Sequence, residues 1–236
     1  MTAVQVQREL NRYANPVRKK TNEWFFKTGK GEYGEGDVFL GIRVPDIRKV
    51  SKQFYSISRA ETKKLLQSPY HEERLAALLI LVNQFQKGDD VTQKSIFDFY
   101  IRHTKYVNNW DLVDLSAHYI VGAYMLKHPN EETILDSFVC SKSLWERRIA
   151  MVATWIFIRE GKFDKTIELA EILLDDKEDL MHKASGWMLR EVWKKKNAPV
   201  EDFIKKHYTR MPRTMLRYAI EKMDEIKRKQ FLKGNF

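Results

Sequence analysis

A chain of 236 residues with 43% hydrophobic content can bury a substantial core, and its 42 basic against 32 acidic residues give a formal charge of +10. That composition excludes a disordered tail and points to a polyanionic partner: DNA, RNA or an anionic membrane surface. No stretch approaches the roughly 20 apolar residues of a spanning helix, and the segment from Met1 to Leu10 lacks a secretory core, so a soluble, cytoplasmic protein with no membrane partner is expected.

Six prolines and ten glycines are few for this length, and five of the glycines (Gly29, Gly31, Gly34, Gly36, Gly41) crowd into one segment, so most of the remainder is predicted helical. Period-3.6 apolar runs cover about 4–14, 45–56, 58–68, 70–87, 91–103, 109–127 and 130–139. They continue over about 143–160, 163–174, 178–194, 198–208 and 213–229. Nothing alternates as a strand. The Gly-rich run lacks the spacing of a phosphate-cradling loop and follows no strand, so it reads as a loop between helices.

Aligning the second helix of each pair gives Arg74-Leu75-Ala76-Ala77, Asp111-Leu112-Val113-Asp114, Arg148-Ile149-Ala150-Met151, Lys183-Ala184-Ser185-Gly186 and Arg217-Tyr218-Ala219-Ile220. The separations are 37, 37, 35 and 34 residues. A helix-pair period in this range predicts an all-α fold, a curved α-solenoid of HEAT-like repeats. One domain over 1–236 is expected, with an N-terminal helical cap over about 1–57 and repeats over about 58–230.

The first aligned position is basic in four repeats of five, and the next two positions fall about 100° and 200° around the helix among apolar residues. Stacking would turn this column into a basic stripe suited to a nucleic-acid backbone. The alternative is ordinary solvated charge on amphipathic helices.

The second repeat breaks the column with Asp111. It also places Asp114, four residues after Trp110 and on the same face, in a column otherwise held by Ala77, Met151, Gly186 and Ile220. A carboxylate among such neighbours needs a partner or a purpose. Either Asp114 pairs with Arg148 to lock repeats together while the tryptophans are core, or Trp110, Trp187, Asp114, Arg148 and Lys183 form a functional patch.

Several motifs in order resemble one family. They are the run from Trp24 to Asp37, then Phe39-Leu40-Gly41-Ile42-Arg43-Val44-Pro45, Trp110-Asp111-Leu112-Val113-Asp114, Trp145-Glu146-Arg147-Arg148, and the run from Lys183 to Glu191. Together they look like the DNA alkylation repair glycosylases built of HEAT-like repeats, the AlkD-type alkylpurine glycosylases, over nearly the whole chain. The resemblance implies hydrolysis of the N-glycosidic bond of purines alkylated at N3 or N7, such as 3-methyladenine and 7-methylguanine, in base excision repair.

Matched motif by motif, Asp114 falls on the family's catalytic aspartate, Trp110 and Trp187 on its active-site tryptophans, and Arg148 on its active-site arginine. An N3- or N7-alkylpurine is already cationic, so a well-placed carboxylate that stabilises the oxocarbenium-like sugar and positions water is enough. Tryptophan faces attract the cationic nucleotide, and an arginine holds a backbone phosphate. The family's reputed mode leaves the lesion stacked, unlike glycosylases that extrude the base. The family's best-known branch carries aromatics at the positions of Asp179 and Leu180, and this chain departs from it there.

The expected DNA-contacting set is Arg43, Arg74, Arg147, Lys183, Arg190 and Arg217. The expected partner is double-stranded DNA containing alkylated bases, bound by a monomer with no cofactor. The six histidines show no ligand spacing, so no metal is expected. Cys140 is expected buried in an apolar helix, and Trp24, Trp145, Trp155 and Trp193 in the core or between repeats. Lys194-Lys195-Lys196 and Lys227 to Lys229 read as solvated ends that add nonspecific DNA affinity. Two other readings stand beside this one: a noncatalytic relative that binds branched or distorted DNA, and a protein-binding HEAT-type adaptor.

Overall fold

The computed structural model describes residues 1–131 and 133–236. The protein is all-α and solenoid-like, built of helix pairs, with no strand among the described residues beyond one isolated bridge between Val38 and Tyr70. It divides into two compact units, Met1–Ile120 and Val121–Phe236. No helix of the protein is long and apolar enough to cross a membrane, among the described residues.

The first unit holds α1 (Ala3–Asn11), α2 (Pro16–Phe25), α3 (Val44–Gln53), α4 (Arg59–Leu66), α5 (His71–Lys87), α6 (Asp90–Arg102) and α7 (Trp110–Asp114). Helix α5 is its centre, with every residue from His71 to Val82 buried. A helix apolar on all sides from Leu75 to Val82 must be surrounded, and α3, α4 and α6 all pack on it. Each fully buried leucine of α5, such as Leu75, Leu78 and Leu81, contributes about 1.5–3 kcal/mol.

Helix α2 has no buried residue, so apolar periodicity does not predict it. Local chemistry makes it instead. The Asn15 side chain accepts from the Arg18 N–H, and Pro16 supplies a pre-set φ in the first turn. The loop after it returns against the helix start, where the Asn15 N–H donates to the Leu40 carbonyl. Gly41 lies at φ 78°, and a Cβ there would run into backbone atoms of Asn15 and Lys19, so only glycine fits.

The second unit holds α8 (Ala123–Lys127), α9 (Thr133–Val139), α10 (Leu144–Ala153), α11 (Trp155–Arg159), α12 (Asp164–Ile172), α13 (Asp179–Lys195), α14 (Ala198–His207), α15 (Arg213–Ala219) and α16 (Glu225–Lys233). Helix α13 is its hub, packing on α10, α12, α14 and α15. Gly186 lets the α15 backbone approach, since a Cβ there would press on the Met215 carbonyl and Tyr218.

Three segments expected as single helices are interrupted by hydroxyl or carboxylate side chains that compete for the backbone. Over 109–127, Ser116 donates to the Leu112 carbonyl at 2.5 Å, and a π-helical turn, His118–Gly122, separates α7 from α8. Thr154 donates to the Met151 carbonyl between α10 and α11. Asp224 caps the Lys227 N–H and starts α16 afresh after α15.

Candidate functional site

Helix α7 carries Trp110 and Asp114 and is only five residues long, so it cannot hold itself in place. Its start is fixed from outside. The buried Asn109 side chain accepts the Trp110 N–H at 2.8 Å and donates through Nδ2 to Asp37 at 3.0 Å. Asp111 Oδ1 accepts the Leu112 N–H at 2.9 Å. Its other oxygen accepts from His71 Nε2 at 2.9 Å.

His71 is 2% exposed and lies between two carboxylates, with Nδ1 3.1 Å from Asp37. Carboxylates only accept, so both ring nitrogens must carry hydrogen, and the group is an imidazolium. Burial opposes that charge, but Asp111 and Asp37 outweigh it and push the His71 pKa up to about 9. The rings of Phe39 and Phe26, with centroids at 4.6 and 5.0 Å, offer it aromatic surface as well. Asp37 also accepts from Arg74 at 2.5 Å, giving two cations and two anions in one buried cluster. Against its own burial, the donors His71, Arg74 and Asn109 hold the Asp37 carboxyl below the usual range.

The same helix end receives the Gly-rich segment. Glu72 accepts the N–H groups of Leu40, Gly41 and Ile42 at 2.8, 2.8 and 3.2 Å, and the His71 N–H donates to the Val38 carbonyl. The N-terminus of α5 thus anchors both the segment before α3 and the start of α7, and carboxylates suit that end of a helix. Beside it a cavity of about 370 Å³ is lined by Phe26, Phe39, Arg43, Pro45, His71 and Asp111, among others.

Trp110 is half-buried, stacked on Phe26 at 5.2 Å and 15°, with the edge of Phe25 at 5.9 Å. It belongs to an aromatic stack that runs through Phe26 to Phe39. Asp114, one turn on, is partly exposed. Tyr100 is buried, donor-paired with Ser116 at 2.9 Å, and its phenol is pushed up by burial and by the charge of Asp114.

In the second unit Arg148 is 5% exposed, and its Nη1 donates to the Leu180 carbonyl at 2.7 Å in the first turn of α13. Trp187 lies two turns further along α13, half-buried. Asp179, where the resembled branch has an aromatic, pairs with Lys183 at 2.7 Å.

The family model for the DNA alkylation repair enzyme matches residues 6–223. The chain belongs to the DNA alkylation repair enzyme family. Its fold is similar to that of a solved structure described as a predicted DNA alkylation repair enzyme from Enterococcus faecalis, with a TM-score of 0.70, 19% identity, and coverage of 90% of this chain and 97% of that one. No curated protein matches the sequence.

Of the basic column expected from the repeat alignment, Arg74 and Arg148 are buried, Lys183 is half-buried and Arg217 is exposed. Arg74 is buried, with Nη1 on the Ser68 and Pro69 carbonyls at 3.1 and 3.0 Å. Arg147 does the same to the Ser141 and Lys142 carbonyls at 3.0 and 3.1 Å, and grips Asp176 at 2.6 Å. His182 reaches the Asp176 carbonyl at 2.7 Å. All three occupy the fourth residue of their helices and close the turn six residues back. The structural register therefore pairs Arg74 with Arg147 and His182, one residue before Arg148 and Lys183. Arg74 and Arg147 both hold carbonyls and carboxylates of the protein itself.

The other expected contacts lie at or near the surface. Arg43 is exposed with Asp46 at 3.1 Å, Arg190 pairs with Glu221 and Glu191, and Arg217 is exposed. Cys140, expected buried, is exposed just past α9 because its helix ends at Val139. Trp24, expected in the core, is 72% exposed because α2 buries no face. Asn109, Asp37 and His71 were not legible as site-forming residues. Only the oddity of Asp111 in a basic column pointed toward them.

Proposed function

We propose that this family member is a DNA glycosylase that releases cationic N3- and N7-alkylpurines from duplex DNA in base excision repair. The observation that carries the reading is Asp114, a partly exposed carboxylate one turn from Trp110 on a helix whose start is clamped by Asn109 and the buried His71 cluster. A carboxylate held on a fixed element can stabilise positive charge developing on the sugar and orient water without reorganising during the reaction.

Trp110 and Trp187 offer aromatic faces to the cationic nucleotide. Arg148 is assigned the backbone phosphate beside the lesion, and its bond to Leu180 ties it to the helix that carries Trp187. Residues 1–236 are read as one array of HEAT-like repeats acting as a monomer on duplex DNA in the cytoplasm, without a cofactor.

The test is release of 7-methylguanine and 3-methyladenine from methylated duplex DNA. Wild type should release both, and Asp114→Asn should slow release on the order of a hundredfold or more. Equal release by both proteins, or none by wild type, overturns the reading. The Asp179–Lys183 pair, standing where the resembled branch has an aromatic, favours a second reading: a relative that binds branched or distorted DNA without releasing a base.

A further inference from the structure

The C-terminal end of α2 presents two large aromatics to solvent. Trp24 is 72% exposed and its neighbour Phe25 is 53% exposed. Scattered single apolar residues on a surface need no explanation, but this pair is built. Lys27 is the one non-glycine residue at positive φ among the described residues, at 55°, and its ammonium lies over the Trp24 ring at 5.4 Å.

A lysine in that conformation carries local strain and persists only where its surroundings impose it. They do so here. The Gly34 N–H donates to the Lys27 carbonyl at 3.0 Å, and a Cβ on Gly34 would collide with the Phe26 and Lys27 carbonyls. The loop's carboxylates Glu32 and Glu35 are turned onto the Gly29 and Gly31 N–H groups, at 2.9 and 2.8 Å. Phe25 sets its edge against Trp110, so the exposed aromatic surface runs on into the stack that carries the proposed site.

We infer that Trp24 and Phe25 form a base-stacking edge that engages an unstacked nucleotide in the DNA the protein binds. A base fits this chemistry better than a phosphate. The carbonyl end of a helix carries negative partial charge and disfavours an anion, whereas every base has a π-face that an indole can cover regardless of sequence. Lys27 adds a cation beside the ring, and the whole chain carries +10. The inference rests on the DNA-binding part of the proposed function and not on the chemistry assigned to Asp114.

Fluorescence anisotropy with a labelled duplex, intact or carrying a one-nucleotide gap, reads the edge directly. Wild type should prefer the gapped duplex by about tenfold. Trp24→Ala combined with Phe25→Ala should abolish the preference while the affinity for intact duplex and its salt dependence stay within about twofold, and Trp24→Phe should keep it, since any aromatic face stacks. Thermal unfolding of each variant checks that the fold is retained, as exposed side chains predict.

Equal binding of both duplexes by wild type overturns the inference, as does a double variant that keeps the preference. So does a Trp24-dependent attachment to phosphatidylserine vesicles without any gap preference. Base release by the same variants is scored separately. Asp114→Asn with intact gap preference but no release leaves the edge standing, and loss of preference with normal release leaves the glycosylase reading standing.

Discussion

His71 Nε2 and Asp111 Oδ2 meet at 2.9 Å inside the first unit, although 40 residues separate them. The contact joins the start of the buried helix α5 to the start of the five-residue α7, and it sets where Trp110 and Asp114 can stand.

The charge on His71 makes part of the stability pH-dependent. Its folded pKa of about 9 lies above the unfolded value near 6.5, so its contribution is full below about pH 6.5 and is lost as pH rises through 9. Removing one member of a buried charged cluster costs about 3–5 kcal/mol. His71→Gln should therefore unfold at lower denaturant than wild type at pH 6, and the gap should narrow toward pH 10. A gap that stays constant with pH means the histidine is neutral in the fold.

Asn109 holds α7 by two bonds, to the Trp110 N–H and to Asp37. Asn109→Ala removes a cap and leaves Asp37 one donor short, at a cost of about 1–2 kcal/mol. Base release should fall while affinity for intact duplex holds, because the loss lies in the placing of Asp114 and not in the cationic surface. Single-turnover release compared with equilibrium binding separates the two.

Gly41 and Gly31 share a positive φ, 78° and 80°, but differ in surroundings: Gly31 faces open space and Gly41 faces the backbone of α2. Gly31→Ala should cost about 1–2 kcal/mol from conformation alone. Gly41→Ala should cost more than that and lower the melting temperature further in the same scan.

The exposed arginines and those bonded to the protein's own backbone should separate in salt titrations of DNA binding. Arg43→Ala and Arg217→Ala should each weaken binding and reduce the slope of log K against log salt by roughly 0.9 per lost phosphate contact. Arg74→Ala and Arg147→Ala should leave the slope unchanged and lower stability instead, since their donors hold the protein's own carbonyls and Asp37 or Asp176. A reduced slope for Arg74→Ala would put its guanidinium on the DNA.

The interrupted segments and the missed helix share one cause. Period 3.6 reports which residues face a core, so it finds α5 and α13, whose faces are buried. It is silent on α2, which buries none, and it runs through Ser116, Thr154 and Asp224, where a side chain takes over a backbone partner.

The sequence by itself determined the all-α class, because a buried helix face must repeat its apolar residues locally. It also determined the family, because ordered motifs such as Trp110 to Asp114 survive in the chain regardless of how it packs. Only the tertiary structure decided what the charges do. It placed Arg74 and Arg147 on carbonyls, shifted the register one residue from Arg148 to Arg147, and closed the Arg74, Asp37, His71 and Asp111 cluster across 34 to 40 residues. A charge on a helix looks the same in sequence whether it meets water or a buried partner, and the partner is chosen by elements far away in the chain.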